Sequence, residues 1–394
     1  MTLNKTGRIW CTPISLTVHS PGHFEGRVMV PYVNLSAQHA PLKVELLDAV
    51  KHILEHGQFV LGTEVDQFEN QFAQLCGTRF AVGTNSGTDA LILALRALEI
   101  GDGHEVVTVP NSFVSTTSCI MLVGARPVFV DVQGDYNMDP AQLERAITSR
   151  TRAILLVHMT GRPASMNEII HVAEQHGVPI IEDCAQAVLA EYDGQRVGGI
   201  GTIGCFSLHP LKTLNACGDG GVITTNRERL QERVRLLGNL GLKNRNDCVE
   251  WSGNSRLDTL QAAILLVKLR YIEDWTERRR ANGAYYQKAL RDVAGVQVPE
   301  DSPHERAVYH TFVIQADRRN ELKDHLELRG IGTAIHYPTP IHLQSVAATL
   351  GYHRGSFPVA EQQADQILSL PVYPELTEVE LEAVVMGIRE FYHA

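Results

Sequence analysis

The chain has 394 residues, 44% hydrophobic and 20% charged, with a formal net charge of −10. That is ordinary for a soluble globular protein and long enough for a large unit plus a smaller one, each with its own core. The acid excess excludes a protein built to bind nucleic acid, which needs a basic stripe. Arg278-Arg279-Arg280, the densest basic run, reads as a solvated helix face.

The seven cysteines are odd in number, widely spaced and without a C-x-x-C pair, and no histidine falls in an H-E-x-x-H run. Neither a disulfide framework nor a metal site is expected. No apolar run approaches the ~18 residues of a membrane span. Residues 1–30 carry Lys5 and Arg8, but Pro13 interrupts the apolar stretch after them, so they make a poor secretory signal. They read as an N-terminal extension packed on the surface or on a partner subunit, and the chain as cytoplasmic.

In chain order, helix is expected from Ala49 to Phe72 on either side of Gly57, then strand at Arg79–Val82 and helix at Asp89–Leu98. The alternation goes on with strand Glu105–Val109, helix Thr116–Val123, strand Pro127–Val130, helix Pro140–Ile147, strand Ala153–Val157, helix Met166–His176 and strand Pro179–Ile181. Short apolar strands separated by helices predict an α/β fold, a mainly parallel sheet covered on both faces, which binds ligands at the carboxyl ends of its strands. Strand Gly221–Thr225 and helix Arg227–Leu237 follow the Lys212 loop, and apolar spacing predicts one long helix from Leu257 to Leu290. Strand Val308–Ile314, helix Glu321–Arg329, strand Ile331–Tyr337 and helix Glu378–Phe391 read as a smaller α+β domain. The expected division is a large domain over 31–272 and a small one over 273–394.

Three stretches carry chemistry as a set. Gly83-Thr84-Asn85-Ser86-Gly87-Thr88 joins a strand to a helix, where free N–H groups and a close-packing glycine form an anion site. Taken alone it reads as an ordinary N-cap. Asp183 ends an apolar strand, with Glu182 on the opposite face and Gln186 three residues on. Alone, Asp183 reads equally as a helix cap. Lys212 lies on a tight loop after Ser207, and a lone loop lysine is a surface charge. Together they match the needs of pyridoxal 5′-phosphate: a Schiff-base amine, a carboxylate for the pyridinium nitrogen and donors for the phosphate. Phe113 is a candidate to stack on the ring.

These residues resemble the DegT-type sugar aminotransferases, fold-type I pyridoxal-phosphate enzymes, over roughly Val30 to the C-terminus. The marks are Ser86-Gly87-Thr88, Glu182-Asp183-Cys184-Ala185-Gln186, Phe206-Ser207-Leu208-His209-Pro210-Leu211-Lys212, Gly218-Asp219-Gly220-Gly221, Gly253-Asn254-Ser255-Arg256 and Ile335-His336-Tyr337-Pro338. The resemblance implies that Lys212 binds the cofactor covalently, Asp183 pairs with its ring nitrogen, Gln186 contacts the ring oxygen and Phe113 stacks. Gly87, Thr88 and Ser207 would hold phosphate, Asn254 would reach it from the neighbouring subunit of a homodimer, and His336 would face the substrate. The implied reaction moves an amino group from glutamate or glutamine, through pyridoxamine 5′-phosphate, to a keto-sugar that is nucleotide-linked or phosphorylated. Two places depart from the pattern: His158-Met159-Thr160-Gly161 stands for His-Leu-Tyr-Gly, and Leu208 for the second Phe of Phe-Ser-Phe. Rival readings are a sugar dehydratase on the same scaffold, in which histidine replaces the Lys212 equivalent, and a non-catalytic regulatory homologue.

Overall fold

The computed structural model describes residues 28–393, so all but the end of the N-terminal extension lies outside the described residues. Seven strands form the main sheet: β1 (Phe80–Thr84), β2 (Glu105–Thr108), β3 (Arg126–Phe129), β4 (Thr151–Val157), β5 (Ile180–Asp183), β6 (Ile203–Ser207) and β7 (Gly221–Thr225). They lie in the order β1-β7-β6-β5-β4-β2-β3. From β3 to β6 every pairing is parallel, and β7 runs antiparallel to both β6 and β1.

Alternate residues feed two cores, as the pleat requires. Val106, Ala153, Leu155 and Ile181 join Ala90, Leu91 and Ala94 of helix Gly87–Ala97 on one face. Val107, Ile154, Leu156 and Ile180 join Met166, Ile169 and Ala173 of helix Met166–His176 on the other. Gly177 ends that helix at φ +63°, a left-handed turn that costs glycine little, and sends the chain into β5. The mainly parallel α/β sheet covered on both faces is therefore as the alternation predicts. Its geometry puts the last residues of β1, β2, β5 and β6, and the first of β7, along one edge.

A second, antiparallel sheet holds β8 (Val296–Gln297), β9 (Phe312–Ala316) and β10 (Ile367–Leu370), with β9 in the middle. Helices Ile272–Leu290, Arg319–Leu328 and Glu378–His393 share its core. Three sequence expectations change here. The helix expected over Leu257–Leu290 is two, Thr259–Leu269 and Ile272–Leu290, broken at Arg270-Tyr271. Residues Ala262 and Leu265 of the first helix pack in the large unit's core, whereas Tyr286 and Leu290 of the second belong to the small unit's. Tyr271 is held at the break by donating its hydroxyl to Glu45 at 2.7 Å and stacking on Trp275.

The strand expected over Val308–Ile314 begins only at Phe312, because Tyr309 turns left-handed at φ +48°. The one expected over Ile331–Tyr337 is not a strand. Ile331 bridges Val30 and Ala334 bridges Ser369, but no ladder forms between those points. The edge position is filled by β10, which no sequence signal had marked.

Candidate active site

β5 ends on Glu182-Asp183, and the pleat sends the two acids to opposite faces. Glu182 is fully buried and accepts from the N–H groups of Gly198 (2.8 Å), Ile200 (3.1 Å) and Gly201 (2.6 Å), with His158 Nε2 at 3.0 Å. Its bonding capacity is spent inside the fold. Asp183 Oδ2 accepts from the Thr116 hydroxyl at 2.8 Å and Oδ1 from the Ala185 N–H at 3.1 Å. Burial pushes this carboxyl above the usual carboxylate range, opposed by those two bonds and by the charge of Lys212.

Lys212 rides on the loop from β6 to β7, closed by its own N–H to His209 O (2.8 Å) and by the Ala216 N–H to Leu208 O (2.7 Å). It lines a cleft with Asn215, Arg279, His310, Thr311 and His336. Burial lowers its amine from 10.5 to about 8, although the Asp183 charge pulls the other way. Burial and the Lys212 charge also hold His336 down at about 4 and His310 well below its usual value, so both imidazoles are neutral at neutral pH. His336 Nδ1 lies 3.0 Å from Ser369 Oγ.

At the end of β1, Ser86 caps helix Gly87–Ala97, its Oγ accepting from the Asp89 N–H at 3.1 Å. The N–H groups of Gly87 and Thr88 have no carbonyl within the helix to bond. Gly87 packs on Ser207: a Cβ there would stand 2.7 Å from Ser207 Cβ. Thr88 Oγ1 and Ser115 Oγ share a hydrogen bond of 2.9 Å. A helix N-terminus, a glycine and three hydroxyls gathered in this way suit a phosphate.

Gln186 accepts at Oε1 from the Thr160 N–H (2.7 Å), which leaves Nε2 to donate; the Tyr337 hydroxyl lies 3.5 Å from it. Phe113 is 54% exposed, with its ring centroid 5.7 Å from that of Tyr337. One departure from the family pattern thus falls on the residue that orients Gln186, since Thr160 bonds it from a left-handed backbone at φ +64°. Asn254 meets the turn before Ser86 through its main chain. It is exposed, bridged to Asn239, and its carbonyl accepts from Asn85 at 3.5 Å.

The sequence reading missed Ser115, Thr116, His310 and Tyr337. Ser115 and Thr116 begin helix Ser115–Leu122 two residues beyond Phe113, a hydroxyl pair past a strand end that was open to notice. His310 looked like part of an apolar strand, and only folding turns it toward Lys212.

A half-buried lysine of lowered pKa, coupled to a fixed and buried carboxylate, with a phosphate cradle at the same sheet edge, defines a pyridoxal-phosphate-dependent enzyme. The sequence pattern of the DegT/DnrJ/EryC1/StrS aminotransferase family matches residues 41–389, and the chain belongs to that family. It is 40% identical to a Streptomyces venezuelae protein named dTDP-3-amino-3,4,6-trideoxy-alpha-D-glucose transaminase, over 92% of this chain and 96% of that one. It is 42% identical to the UDP-N-acetyl-3-dehydro-alpha-D-glucosamine 3-aminotransferase of Acidithiobacillus ferrooxidans, over 92% and 98% of the two chains. The crystal structure of S. venezuelae DesV in complex with a ketimine intermediate superposes with a TM-score of 0.91 at 40% identity, covering 93% of this chain and 99% of that one.

Proposed function

We propose that this aminotransferase moves an amino group from glutamate or glutamine to carbon 3 of a nucleotide-linked keto-sugar. The observation that carries the reading is Lys212, with its amine lowered to about 8, in one site with a buried Asp183. The two relatives named for 3-amino sugars support the carbon, and their dTDP and UDP names support a nucleotide. The bound cofactor supplies an aldehyde that takes up the amine and a ring that accepts the electron pair from the reacting carbon. Lys212 would hold the cofactor covalently at rest and, once freed, would carry the proton at the substrate carbon. Asp183 would keep the ring nitrogen protonated, Gln186 Nε2 would donate to the ring oxygen and Phe113 would cover the ring face. Gly87, Thr88 and Ser207 hold phosphate, and His336, neutral, faces the substrate.

Asn254 belongs, on this reading, to the site of the neighbouring subunit. Support comes from the exposed apolar side chains close to it in sequence or on the adjoining segments, Phe59, Val60, Leu61, Leu240, Val249 and Trp251, a face suited to a second copy. The small domain starts at 273, just beyond the helix break. A cytoplasmic setting suits the six unpaired cysteines of the described residues. None of the described helices is long and apolar enough to cross a membrane.

The test is a screen in which the pyridoxamine form is mixed with keto-sugars and return of the aldehyde spectrum is followed. Nucleotide-linked 3-keto-sugars are expected to restore it, and restoration by sugar phosphates alone would overturn the substrate. Two further outcomes follow from the site. Capture of pyridoxal phosphate by cofactor-free protein should speed up as pH rises through about 8 and level off above it, because only the uncharged amine attacks. A stopped-flow profile that stays flat across that value would detach the lowered amine from cofactor binding. Gly87→Ala should weaken cofactor binding about tenfold, the scale of overpacking by one methyl group. Titration of cofactor-free protein measures it, and wild-type affinity would remove Gly87 from the cradle.

A further inference from the structure

Lys268, outside the site just described, is a fully buried lysine on helix Thr259–Leu269. No carboxylate pairs with it among the described residues. A buried ammonium is costly unless each of its three protons finds an acceptor. All three do: Nζ donates to the carbonyl of Asn215 at 2.9 Å, to Oδ1 of the same residue at 2.5 Å and to His39 Nε2 at 2.9 Å. Two of the three bonds therefore grip one residue, by its main chain and its side chain together.

Asn215 passes that grip on. With Oδ1 held by Lys268, its Nδ2 must point the other way, and it donates to the carbonyl of Lys212 and to Gln38 Oε1, both at 3.0 Å. The Lys212 carbonyl is thus tied, through one amide, to a helix buried in the large unit's core. An amide turned over would present its oxygen to two further oxygens, so Lys268 also decides which way Asn215 faces. Simple packing would need only a side chain of this volume, and methionine supplies that without a donor.

We propose that Lys268 is a positioning residue: through Asn215 it fixes the backbone of Lys212 and so the place where the Lys212 amine stands against Asp183. The inference rests on Lys212 being the residue that binds the cofactor. Displacements of about 1 Å in a reacting group cost on the order of a hundredfold in rate, so loss of the tie should be plain in kinetics.

The experiment compares Lys268→Met, Asn215→Ala and the double variant with wild type, each prepared free of cofactor. Circular dichroism and melting report the fold. The rate of pyridoxal phosphate capture and the absorbance band of the bound cofactor report the amine. Each single variant is expected to fold, to capture the cofactor at least about tenfold more slowly and to bind it with a displaced band. The double variant should do no worse than the poorer single one, because both changes cut one path. Wild-type capture and spectrum in folded Lys268→Met, or losses that add in the double variant, would overturn the proposal. Should Lys268→Met fail to fold, Asn215→Ala decides alone, and unchanged capture there has the same force. Borohydride reduction of loaded wild-type enzyme followed by peptide mapping separates the two failures. A label on Lys212 with indifferent variants sinks this inference only, and a label elsewhere sinks the reading beneath it.

Discussion

Lys212→Ala is expected to fold and to turn over at least about a thousandfold more slowly than wild type, because on the proposed reading one change removes both the covalent anchor and the proton carrier. Among the described residues, truncating this side chain breaks no side-chain hydrogen bond, since its loop is held through main-chain groups and Asn215. Folding should even gain near neutral pH. The wild-type amine sits at about 8 in the folded protein against 10.5 when free. Between those values the unfolded chain binds more protons, so the wild-type protein grows more stable as pH rises through that window. The alanine variant lacks this dependence. Cofactor-free melts near pH 7 should therefore place it no lower than wild type, with the gap closing as pH approaches 10.5. Transfer at wild-type speed would move the chemistry to another residue.

Asp183→Asn is expected to cut turnover by about 10²–10³-fold, the scale of losing one preorganised charge from a buried site. Asparagine keeps an oxygen for the Ala185 N–H, and the Thr116 hydroxyl can rotate to accept from the new amide, so the fold should persist. What goes, on the proposed reading, is the anion that would keep a pyridinium protonated. The anion also raises the Lys212 value, so in this variant the pH midpoint for cofactor capture should fall below that of wild type. Steady-state rates and the capture midpoint together make the test. Full activity would take Asp183 out of the ring's surroundings, and an unmoved midpoint would separate it from Lys212.

Much of the site was legible because its residues sit in short runs where local structure already dictates position. Asp183 ends the strand Ile180-Ile181-Glu182-Asp183, so strand pleating alone separates it from Glu182. Ser86 precedes an apolar helix, so capping places the Gly87 and Thr88 amides at a strand end. The alternation of short apolar runs such as Val106-Val107, Ile154–Val157 and Ile180-Ile181 with helices likewise exposed the parallel sheet, since strands covered on both faces read that way. Periodicity failed where burial changes partner partway along an element. Apolar spacing continues across Arg270-Tyr271, and Ile272 and Trp275 just beyond the break still pack with Ala262 and Leu265; only further along do Tyr286 and Leu290 pass to the other core. Strand β10 is too short and too close to Pro371 to announce itself, and only its partner β9 makes it a strand.

By itself, then, the amino-acid order determined the class of fold and put forward Lys212, Asp183 and the Gly83–Thr88 turn as a candidate cofactor set, because each one's local setting depends on neighbours a few residues away. Tertiary structure alone decided that Thr116 grips Asp183, that Tyr337 closes over Gln186 and that Lys268 holds Asn215. These contacts join residues 67, 151 and 53 positions apart. No local preference encodes them. They arise when buried polar groups, cut off from water, must find partners among whatever the packed elements bring within reach.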